Sequence, residues 1–395
     1  MTDPAAGEAR EVWPDDPGRT RSSRRLRVAF VLGSATGGMA AHVTALAAGC
    51  REAGLAVHVF GPPSAAGSLG PEIPVTPIEI TGRPKPLGDV VAIARLRTAL
   101  RAWPPDVVHA HGVRAGAFAA LALLDWVRLP TPAFVVTIHN APPDGRLARL
   151  GYGLLERVCA RRADLVLGAS PDLVERMRAR GAADVARFDV AAPAVDAPPS
   201  AAQVARARAD IGAAGRPVVL AVGRLAPQKR LDVLVEAAAR WQHRQPRPLT
   251  VIAGDGPLAG DLRSQAARVG ADVLLLGQRT DVPALLAAAD VVVVPSQWEA
   301  RALIVQEALR AGRPLVATST GGIPELTGED AAVLIPVGDP TALAAAVCAV
   351  LDDPGLAGRL ALAARARSAE LPTESESVTA ALAIYARLAA SRIVS

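Results

Sequence analysis

The sequence has few cysteines and no long uninterrupted apolar segment. Its three cysteines, Cys50, Cys159 and Cys348, lie far apart, so their spacing fits neither a metal site nor the disulfide framework of a small secreted domain. No apolar segment approaches the roughly 20 residues of a membrane span. The amino-terminal segment is polar and lacks the apolar core of a signal peptide. We therefore expect buried thiols and a cytoplasmic location.

Aromatic residues and lysine are also scarce. Phe, Trp and Tyr make up 3% of the chain, and the net charge is only +5. Because the basic residues are not interleaved with aromatic side chains, the composition argues against a nucleic-acid partner. Lysine occurs only at Lys85 and Lys229, although Lys and Arg together number 43. Since arginine serves almost everywhere else, the compact ammonium charge at Lys229 is a candidate functional feature.

The 395 residues, 51% of them hydrophobic, are enough for two domains with separate cores. Residues 1–24 are polar and contain proline, and we predict that this extension is disordered. A Pro-rich stretch, DVAAPAVDAPPS, marks the boundary between the domains. The predicted boundaries are 25–195 for the first domain, 196–215 for the linker, 216–373 for the second domain and 374–395 for a final helix.

The first domain opens with a strand, a glycine-rich turn, a helix and a second strand. This order predicts a parallel α/β sheet with helices on its faces. The turn contains Gly33, Gly37 and Gly38, but its G-x-x-x-G-G spacing differs from the G-x-G-x-x-G of dinucleotide sites. No acidic residue ends the second strand to hold a ribose. The turn therefore does not favour NAD as a cofactor.

Three of the six histidines follow predicted parallel strands. His109 and His111 end the strand PPDVVHAHG, and His139 ends PAFVVTIHN. Open α/β sheets bind ligands at the carboxyl ends of their strands, so these side chains are candidates for a binding site. The alternative is that each is a core histidine whose hydrogen bonds are satisfied inside the protein.

In the second domain, two cations stand between a strand and the helix that follows it. The run GRLAPQK places Arg224 and Lys229 before the amino terminus of that helix. Positive charges there oppose the helix dipole, so a purely structural reason for both is hard to find. A bound diphosphate would reverse the sign of that interaction, since each cation could pair with its oxygens.

The stretch 295–325, PSQWEARALIVQEALRAGRPLVATSTGGIPE, carries Glu299 and Glu307, which lie eight positions apart. Glu299 lies in the loop after a buried strand, and Glu307 lies in the helix predicted over 303–311. Carboxylates can accept hydrogen bonds from the hydroxyls of a sugar or a ribose, and the helix N–H groups beside them suit a phosphate. The alternative is that both are ordinary acids near a helix start, stabilised by its dipole.

Together these motifs resemble those of retaining glycosyltransferases of family 4. The resemblance covers roughly residues 26–390. It rests on P-S-x-x-E, a second Glu eight positions later, A-x-x-x-G-x-P-L-V-A-T-x-x-G-G-I-P-E and G-R-L-x-x-x-K. It implies the GT-B fold, which has two Rossmann-like, doubly wound α/β domains facing each other across a cleft. In that fold a C-terminal helix returns to the first domain.

The resemblance also implies roles for individual residues. Four would be catalytic: Glu299, His111, Arg224 and Lys229. The donor nucleotide sugar would be bound by Gly37, Gly38, Arg224, Lys229, Arg279, Leu303, Ile304 and Glu307. Within these sets, Arg224 and Lys229 would contact the diphosphate, and Glu307 would hold the ribose. His42, which follows the Gly-Gly turn, and His139 would lie on the acceptor side.

One part of the motif differs from the family pattern. The family usually has a Gly-rich run after the first Glu, whereas this chain has Ala300, Arg301 and Ala302. Alanine is small but cannot take the positive φ angles open to glycine. We expect Arg301 to contact phosphate or an anionic acceptor.

The function implied by the resemblance is transfer of a hexose-type sugar from a nucleotide-diphosphate sugar to a hydroxyl, with retention of configuration. The acceptor class stays open between a lipid, a metabolite and a glycan. No D-x-D pair occurs in the sequence, so we expect no metal, and no separate cofactor is implied. Two alternatives remain: a nucleotide-sugar epimerase of the same fold, and a non-catalytic relative that binds nucleotide sugars.

The excess of positive charge lies in the first domain. Residues 26–195 carry 18 basic and 13 acidic side chains, which accounts for the whole excess. Basic amphipathic helices in this half could contact an anionic membrane at its inner face, or could present their arginines to water. From the sequence we expect the solvated face.

Overall fold

The computed structural model describes residues 25–33, 38–67, 69–82, 84–124, 131–143, 145–195 and 197–394. The extension predicted to be disordered, residues 1–24, lies outside these ranges, as does Gly37. Within them the chain forms two parallel α/β units, which confirms the two Rossmann-like domains expected from the sequence.

The first domain is built on a seven-stranded sheet in the order β3-β2-β1-β4-β5-β6-β7, with every pair parallel. Its elements are β1 (Arg27–Leu32), α1 (Gly38–Glu52), β2 (Ala56–Gly61), β3 (Val75–Pro77), α2 (Pro86–Ala102), β4 (Val107–His111), α3 (Val113–Ala122), β5 (Ala133–Ile138), α4 (Arg146–Arg162), β6 (Leu165–Gly168), α5 (Pro171–Ala179) and β7 (Val185–Arg187). Strands such as β5 are buried along their whole length, because helices cover both faces of the sheet.

The second domain has a six-stranded parallel sheet in the order β10-β9-β8-β11-β12-β13. Its elements begin with α6 (Ala201–Asp210), β8 (Val218–Val222), α7 (Leu231–Arg240), β9 (Leu249–Ala253), α8 (Ala259–Val269), β10 (Val273–Gly277) and α9 (Val282–Ala288). They continue with β11 (Val291–Val294), α10 (Leu303–Arg310), β12 (Leu315–Thr318), α11 (Ile323–Thr327), β13 (Val333–Ile335), α12 (Pro340–Asp352) and α13 (Pro354–Glu370). The last helix is α14 (Glu374–Val394).

Strand order reverses at one place in each sheet. In the first sheet β1 lies between β2 and β4, and Leu32 pairs with His111. In the second sheet β8 lies between β9 and β11. Open α/β sheets form a ligand-binding crevice at the carboxyl ends of strands where the order reverses. The segments that end or follow β1, β4, β8 and β11 carry most of the candidate site residues.

Helix α14 packs on the first domain, as the sequence predicted. Ala381 and Tyr385 of this helix are buried in a cluster that includes Leu46 of α1. Gly49 allows the two helices to approach closely, because a Cβ at that position would lie 2.4 Å from Cγ1 of Val378. The helix thus links the end of the chain to the core of the amino-terminal half.

Part of the segment 196–215, expected to be a linker, is helical. Helix α6 begins after Ser200, whose side chain forms a reciprocal capping box with Gln203. Ala207 and Ile211 are buried in a core cluster of the second domain. By its packing, this part of the segment belongs to the second domain, because the apolar face of α6 is covered there.

The three cysteines are free thiols. Cys50 and Cys159 are buried, and burial raises the pKa of each to about 12. Cys348 is only half-buried, so the expectation of buried thiols is confirmed for two of the three.

In the described part of the chain, no single helix has the length and apolar character needed to cross a bilayer. Two consecutive helical segments, Pro340–Asp352 and Pro354–Arg392, meet that criterion only when they are joined, and they are bent by 100° at their junction.

Candidate active site at the domain interface

The centre of the candidate site is an ion pair between the loops that follow β8 and β11. Lys229 Nζ donates to Glu299 Oε1 at 2.6 Å, and Ser296 Oγ donates to the same oxygen at 2.7 Å. Residues distant in sequence meet here because β8 and β11 are neighbours in the sheet. The Glu299 side chain is 10% exposed and that of Lys229 is 24% exposed. The pair is therefore a well-shielded, charge-assisted hydrogen bond.

The Gly-Gly turn before α11 holds the Glu299 loop in place. The Gly322 N–H donates to the backbone oxygen of Glu299 at 2.8 Å. A Cβ at Gly322 would lie 1.9 Å from the Ala300 oxygen, and one at Gly321 would lie 2.0 Å from the Glu299 oxygen. Gly321 also has a φ of 53°. Both positions therefore require glycine, since any side chain would push the loop away.

Arg301 is bound to carboxylates of the protein. Its Nη1 lies 3.0 Å from Asp189 Oδ1 and 3.3 Å from Glu325 Oε1, and its side chain is only 4% exposed. Burial lowers the pKa of Arg301, and the two acids oppose that effect. This geometry corrects the expectation that Arg301 contacts phosphate or an anionic acceptor, because its charge is already balanced inside the protein.

Arg301 is one of four residues in a closed ring of alternating charges between the domains. Arg187 Nη2 lies 3.0 Å from Glu325 Oε1 and 3.2 Å from Asp189 Oδ1. Arg187 and Asp189 come from the first domain, whereas Arg301 and Glu325 come from the second. We call Arg187, Asp189, Arg301 and Glu325 the interdomain charge ring. It ties the segment after Glu299 to the chain that crosses between the domains.

Helix α10 carries three candidate donor-site residues in different surroundings. Leu303 packs against the core of the first domain, and a Cβ at Gly38 would lie 2.9 Å from its Cδ1. Leu303 of the second domain and Gly38 of the first domain, both candidates for the donor site, are therefore in contact. Ile304 is buried in the core of the second domain. Glu307 is half-buried, makes no side-chain hydrogen bond or ion pair with a described residue, and has its pKa raised by burial, an effect that Arg310 opposes.

Arg224 and Arg279 differ in how they are held. The Arg224 side chain is exposed and makes no hydrogen bond or ion pair within the described residues. Arg279 donates through Nε and Nη2 to the two carboxylate oxygens of Asp281, at 2.8 and 2.7 Å. The Arg279 guanidinium is thus already bound to Asp281. A nucleobase next to this segment would therefore be contacted more readily by the backbone than by the Arg279 side chain.

His109 is a core histidine with both ring nitrogens satisfied. Its Nδ1 lies 2.6 Å from Tyr385 Oη, and its Nε2 lies 2.6 Å from Thr137 Oγ1. The side chain is fully buried, and burial lowers its pKa to about 3. For His109 the structural alternative raised by the sequence is the correct one.

The other three candidate histidines, His42, His111 and His139, form a cluster beside it. His111 Nδ1 and His139 Nε2 are 3.2 Å apart, and the ring centroid of His42 lies 5.8 Å from that of each. Nε2 of His42 and Nε2 of His111 are buried and have no hydrogen-bond partner among the described residues. Burial is the main cause that lowers the pKa of all three. Neutral imidazoles with unpaired ring nitrogens can exchange hydrogen bonds with hydroxyl groups.

Sequence reasoning missed the contacts that close the site. Trp298 Nε1 donates to Asp172 Oδ2 of the first domain at 2.9 Å, which draws the Glu299 loop toward α5. Ser296 could have been noticed, because it is a polar residue directly after a buried strand in the P-S-x-x-E motif. No local signal marks Asp172, since its partner lies 126 positions away. In the part of the chain that the structure describes, no group of three or more His, Cys, Asp or Glu side chains could hold a metal ion.

The fold and this interface define a two-domain protein of the GT-B class. The chain matches a family model described as "Glycosyl transferase 4-like domain" over residues 37–194, and one described as "Glycosyl transferases group 1" over residues 216–353. The chain belongs to this family of glycosyl transferases.

Individual proteins agree with that assignment. The chain is 34% identical over 282 residues to a glycogen synthase of Mycobacterium tuberculosis (strain CDC 1551 / Oshkosh). This match covers 68% of the chain but only 65% of the length of that enzyme. It is 30% identical over 311 residues to an alpha-D-kanosaminyltransferase of Streptomyces kanamyceticus, covering 74% of the chain and 79% of that protein. The structure of Anabaena Alr3699/HepE in complex with UDP and glucose superposes with a TM-score of 0.79 at 22% identity, covering 92% of this chain and 100% of that one. This structural likeness concerns the fold.

Proposed function

We propose that the chain is a retaining glycosyltransferase that moves a hexose-type sugar from a nucleotide-diphosphate sugar to an acceptor hydroxyl. The carrying observation is the shielded Lys229–Glu299 pair at the switch point of the second sheet, in a loop that also packs against the first domain. In the reaction, the bond from the anomeric carbon to the diphosphate oxygen breaks and a bond to the acceptor oxygen forms. Negative charge develops on the leaving diphosphate, whose oxygen takes the proton that the acceptor hydroxyl loses.

Lys229 and Arg224 are suited to that leaving group. The ammonium of Lys229 has three N–H donors, and Glu299 takes one of them, so two remain for phosphate oxygens. Arg224 is exposed after the adjacent strand end and has its whole guanidinium available. A preorganised donor aimed at developing negative charge typically contributes about 2.7–4 kcal/mol to the transition state. In the proposed mechanism these two cations do this work without a metal ion.

Glu307 is suited to the ribose. Its carboxylate is half-buried and has no partner among the described residues, a costly state for a charged group. Two ribose hydroxyls would supply the hydrogen bonds that burial takes from water. Leu303 and Ile304 precede it on α10, and Gly38 lies against Leu303. The base would then lie toward the β10–α9 turn that carries Arg279.

The histidine cluster is suited to the sugar and the acceptor. An unpaired buried polar atom costs about 1–3 kcal/mol, so Nε2 of His42 and Nε2 of His111 call for partners. Sugar hydroxyls would provide them. In this proposal His111 contacts the donor sugar together with Glu299, and His42 and His139 lie toward the acceptor. The epimerase alternative is not favoured by the family relationship, and product analysis separates it because an epimerase needs no acceptor.

The decisive experiment measures nucleoside diphosphate and glycoside release with UDP-, GDP- and ADP-linked hexoses and a panel of acceptors. We expect Lys229→Ala and Glu307→Ala each to cut turnover by about 100-fold or more. Arg263→Ala, at an exposed arginine on α8, should leave turnover unchanged. The product should keep the anomeric configuration of the donor, and a chelator should have no effect.

A second readout tests donor binding by itself. The matching nucleoside diphosphate should raise the melting temperature of the wild type, since a ligand at 100 times its Kd adds about 2.7 kcal/mol of stability. Lys229→Ala should lose most of this shift. Near-normal sugar transfer by Lys229→Ala or by Glu307→Ala would overturn the donor-site assignment. Binding without transfer or hydrolysis of any donor would favour the non-catalytic alternative.

A further inference from the structure

The first half of α4 is exposed to solvent. Every residue from Gly145 to Gly151 is exposed, which is unusual for a helix in a layered α/β domain. Leu147, Leu150 and Leu154 are 85%, 66% and 60% exposed, respectively. Their i, i+3, i+7 spacing places them on one stripe of the helix. A row of leucines in water indicates a surface that something else covers.

The charges that flank these leucines have one sign. Helix α4 contains five arginines: Arg146, Arg149, Arg157, Arg161 and Arg162. Its one acidic residue, Glu156, is fully buried and is bound by Arg176 of α5 and by Arg180, which directly follows α5. The solvent-facing side of the helix is therefore apolar and cationic, without an exposed carboxylate of its own. We call the three leucines and five arginines of this helix the α4 surface.

Two cavities extend the α4 surface on either side. One, of about 450 Å³, lies between α4 and the end of α5, and is lined by Arg146, Arg149, Leu150, Arg176 and Arg180. The other, of about 280 Å³, lies between α3 and α4, with Leu124 and Leu154 beside Arg157. Guanidinium groups around a cavity match the geometry of phosphate oxygens. An apolar stripe between them matches acyl chains.

The position of α4 relates this surface to the site described above. His139 follows β5, and the helix begins seven residues later. Tyr152 Oη donates to the Asn140 oxygen at 2.9 Å, which ties the early turns of α4 to that connection. The exposed turns of α4 therefore lie at the carboxyl edge of the first sheet, the edge that also carries the histidine cluster.

We propose that the α4 surface docks the protein on a bilayer that contains anionic phospholipids. The helix would lie in the interface, with its leucines in the acyl boundary and its arginines against lipid phosphates. A second copy of the chain fits poorly, because a two-fold interface would place the same arginine rows against each other. The proposal goes beyond the proposed function and does not depend on it, because docking needs neither donor nor acceptor.

The test is co-sedimentation of the full chain with vesicles of phosphatidylcholine, with and without phosphatidylglycerol. We expect binding only when phosphatidylglycerol is present, and weaker binding as salt is added. Leu147→Gln and Leu150→Gln should each weaken vesicle affinity about tenfold or more. Arg157→Gln and Arg161→Gln should each weaken it about fivefold. All four side chains are exposed, so these variants should fold.

The matched control is Leu362→Gln on α13, where the leucine is 69% exposed but lies in the second domain. It should bind vesicles as the wild type does. Equal loss of binding in Leu362→Gln and Leu147→Gln would overturn the proposal, as would failure of the wild type to bind anionic vesicles. Self-association of the wild type that Leu147→Gln abolishes, without vesicle binding, would assign the surface to a second copy and overturn docking on lipid.

Discussion

His109 and His111 stand two positions apart on β4, yet their side chains have different surroundings. A strand places such residues on the same face, and their ring centroids are 4.1 Å apart. His109 has partners on both ring nitrogens, one of them on α14, 276 residues away. His111 keeps one buried nitrogen unpaired. The difference that separates a structural residue from a candidate site residue is therefore made by distant parts of the chain.

The five histidines with a lowered pKa predict a loss of stability in acid. The pKa is lowered to about 3 for His109 and to about 4 for His58 and His139, and it is well below its usual value for His42 and His111. Because the folded-state pKa is depressed, the unfolded chain binds more protons between pH about 6.5 and pH about 4. The free energy of unfolding should be highest above this window. As the pH falls through the window, it should decrease by about 1.4 kcal/mol per pH unit for each fully buried histidine.

Urea unfolding between pH about 7.5 and pH about 5 measures this effect, with the slope of stability against pH giving the number of protons taken up. The variant His58→Gln removes one of the five groups, so its slope should be smaller by about one proton. A wild-type stability that stays flat across the window would contradict the prediction.

At the scale of elements, the central feature of the site is the loop that carries Glu299, which a glycine turn holds in position. The segment after β11 carries Glu299, and the Gly321–Gly322 turn before α11 packs directly on its backbone. The carboxylate is also fixed from the side by Ser296 and Lys229. These contacts fix the position of Glu299 although its loop is irregular. A catalytic site needs such a fixed position, because the reacting groups must be held in one geometry.

Gly322→Ala should therefore lower both activity and stability. The added Cβ would lie 1.9 Å from the Ala300 oxygen, so the loop must shift, at a cost of about 1–3 kcal/mol. A displacement of about 1 Å at Glu299 should lower kcat by about 100-fold. Thermal unfolding and steady-state kinetics measure the two effects.

The control is Gly358→Ala on α13, where a Cβ would meet no atom within 4 Å. It should be neutral or slightly stabilising, because alanine is the better helix former. Equal kinetics for the two alanine variants would show that the turn does not position the Glu299 loop.

At the scale of the whole molecule, several contacts hold the two domains together at the site. The interdomain charge ring joins the segment after Glu299 to the crossing chain. The side chain of Gln306 on α10 bonds the backbone of Val190 and of Ala192 on the same crossing chain. Helix α14 ties the end of the chain to the first domain. The loop that carries Glu299 is thus anchored to both domains.

Arg301→Met should weaken this anchor. The arginine side chain is nearly inaccessible, but its two carboxylate partners are each 37% exposed, so water can replace part of the lost interaction. We expect a loss of about 1–3 kcal/mol in the free energy of unfolding. A double-mutant cycle with Asp189→Asn should give a coupling energy of about 0.5–3 kcal/mol.

Arg359→Met is the comparison variant, because Arg359 on α13 forms an exposed pair at 3.8 Å with Asp353, the residue directly before that helix. That pair should contribute under about 1 kcal/mol. Absence of coupling between Arg301 and Asp189 would mean that the ring does not connect the domains energetically.

Several features of this protein could be predicted from the sequence, because they depend on local pattern. Buried Val-rich runs and the helices between them indicated two parallel α/β domains, and the motif around Glu299 indicated the family. The motifs placed Arg224, Lys229 and Glu299 in loops after strands, and Glu307 in the helix that follows the Glu299 loop. Helix α6 within the predicted linker was not foreseen, because prolines precede its capping box.

The tertiary structure decided which of these residues meet and which are already engaged. The sequence by itself determined the strands, the helices between them and the positions of the charged side chains along the chain. Only packing decided that Arg301 is neutralised by Asp189 and Glu325, that His109 is satisfied by Tyr385, and that the leucines of α4 remain in water. These outcomes depend on partners that lie far away in the chain, and periodicity within one element carries no information about them.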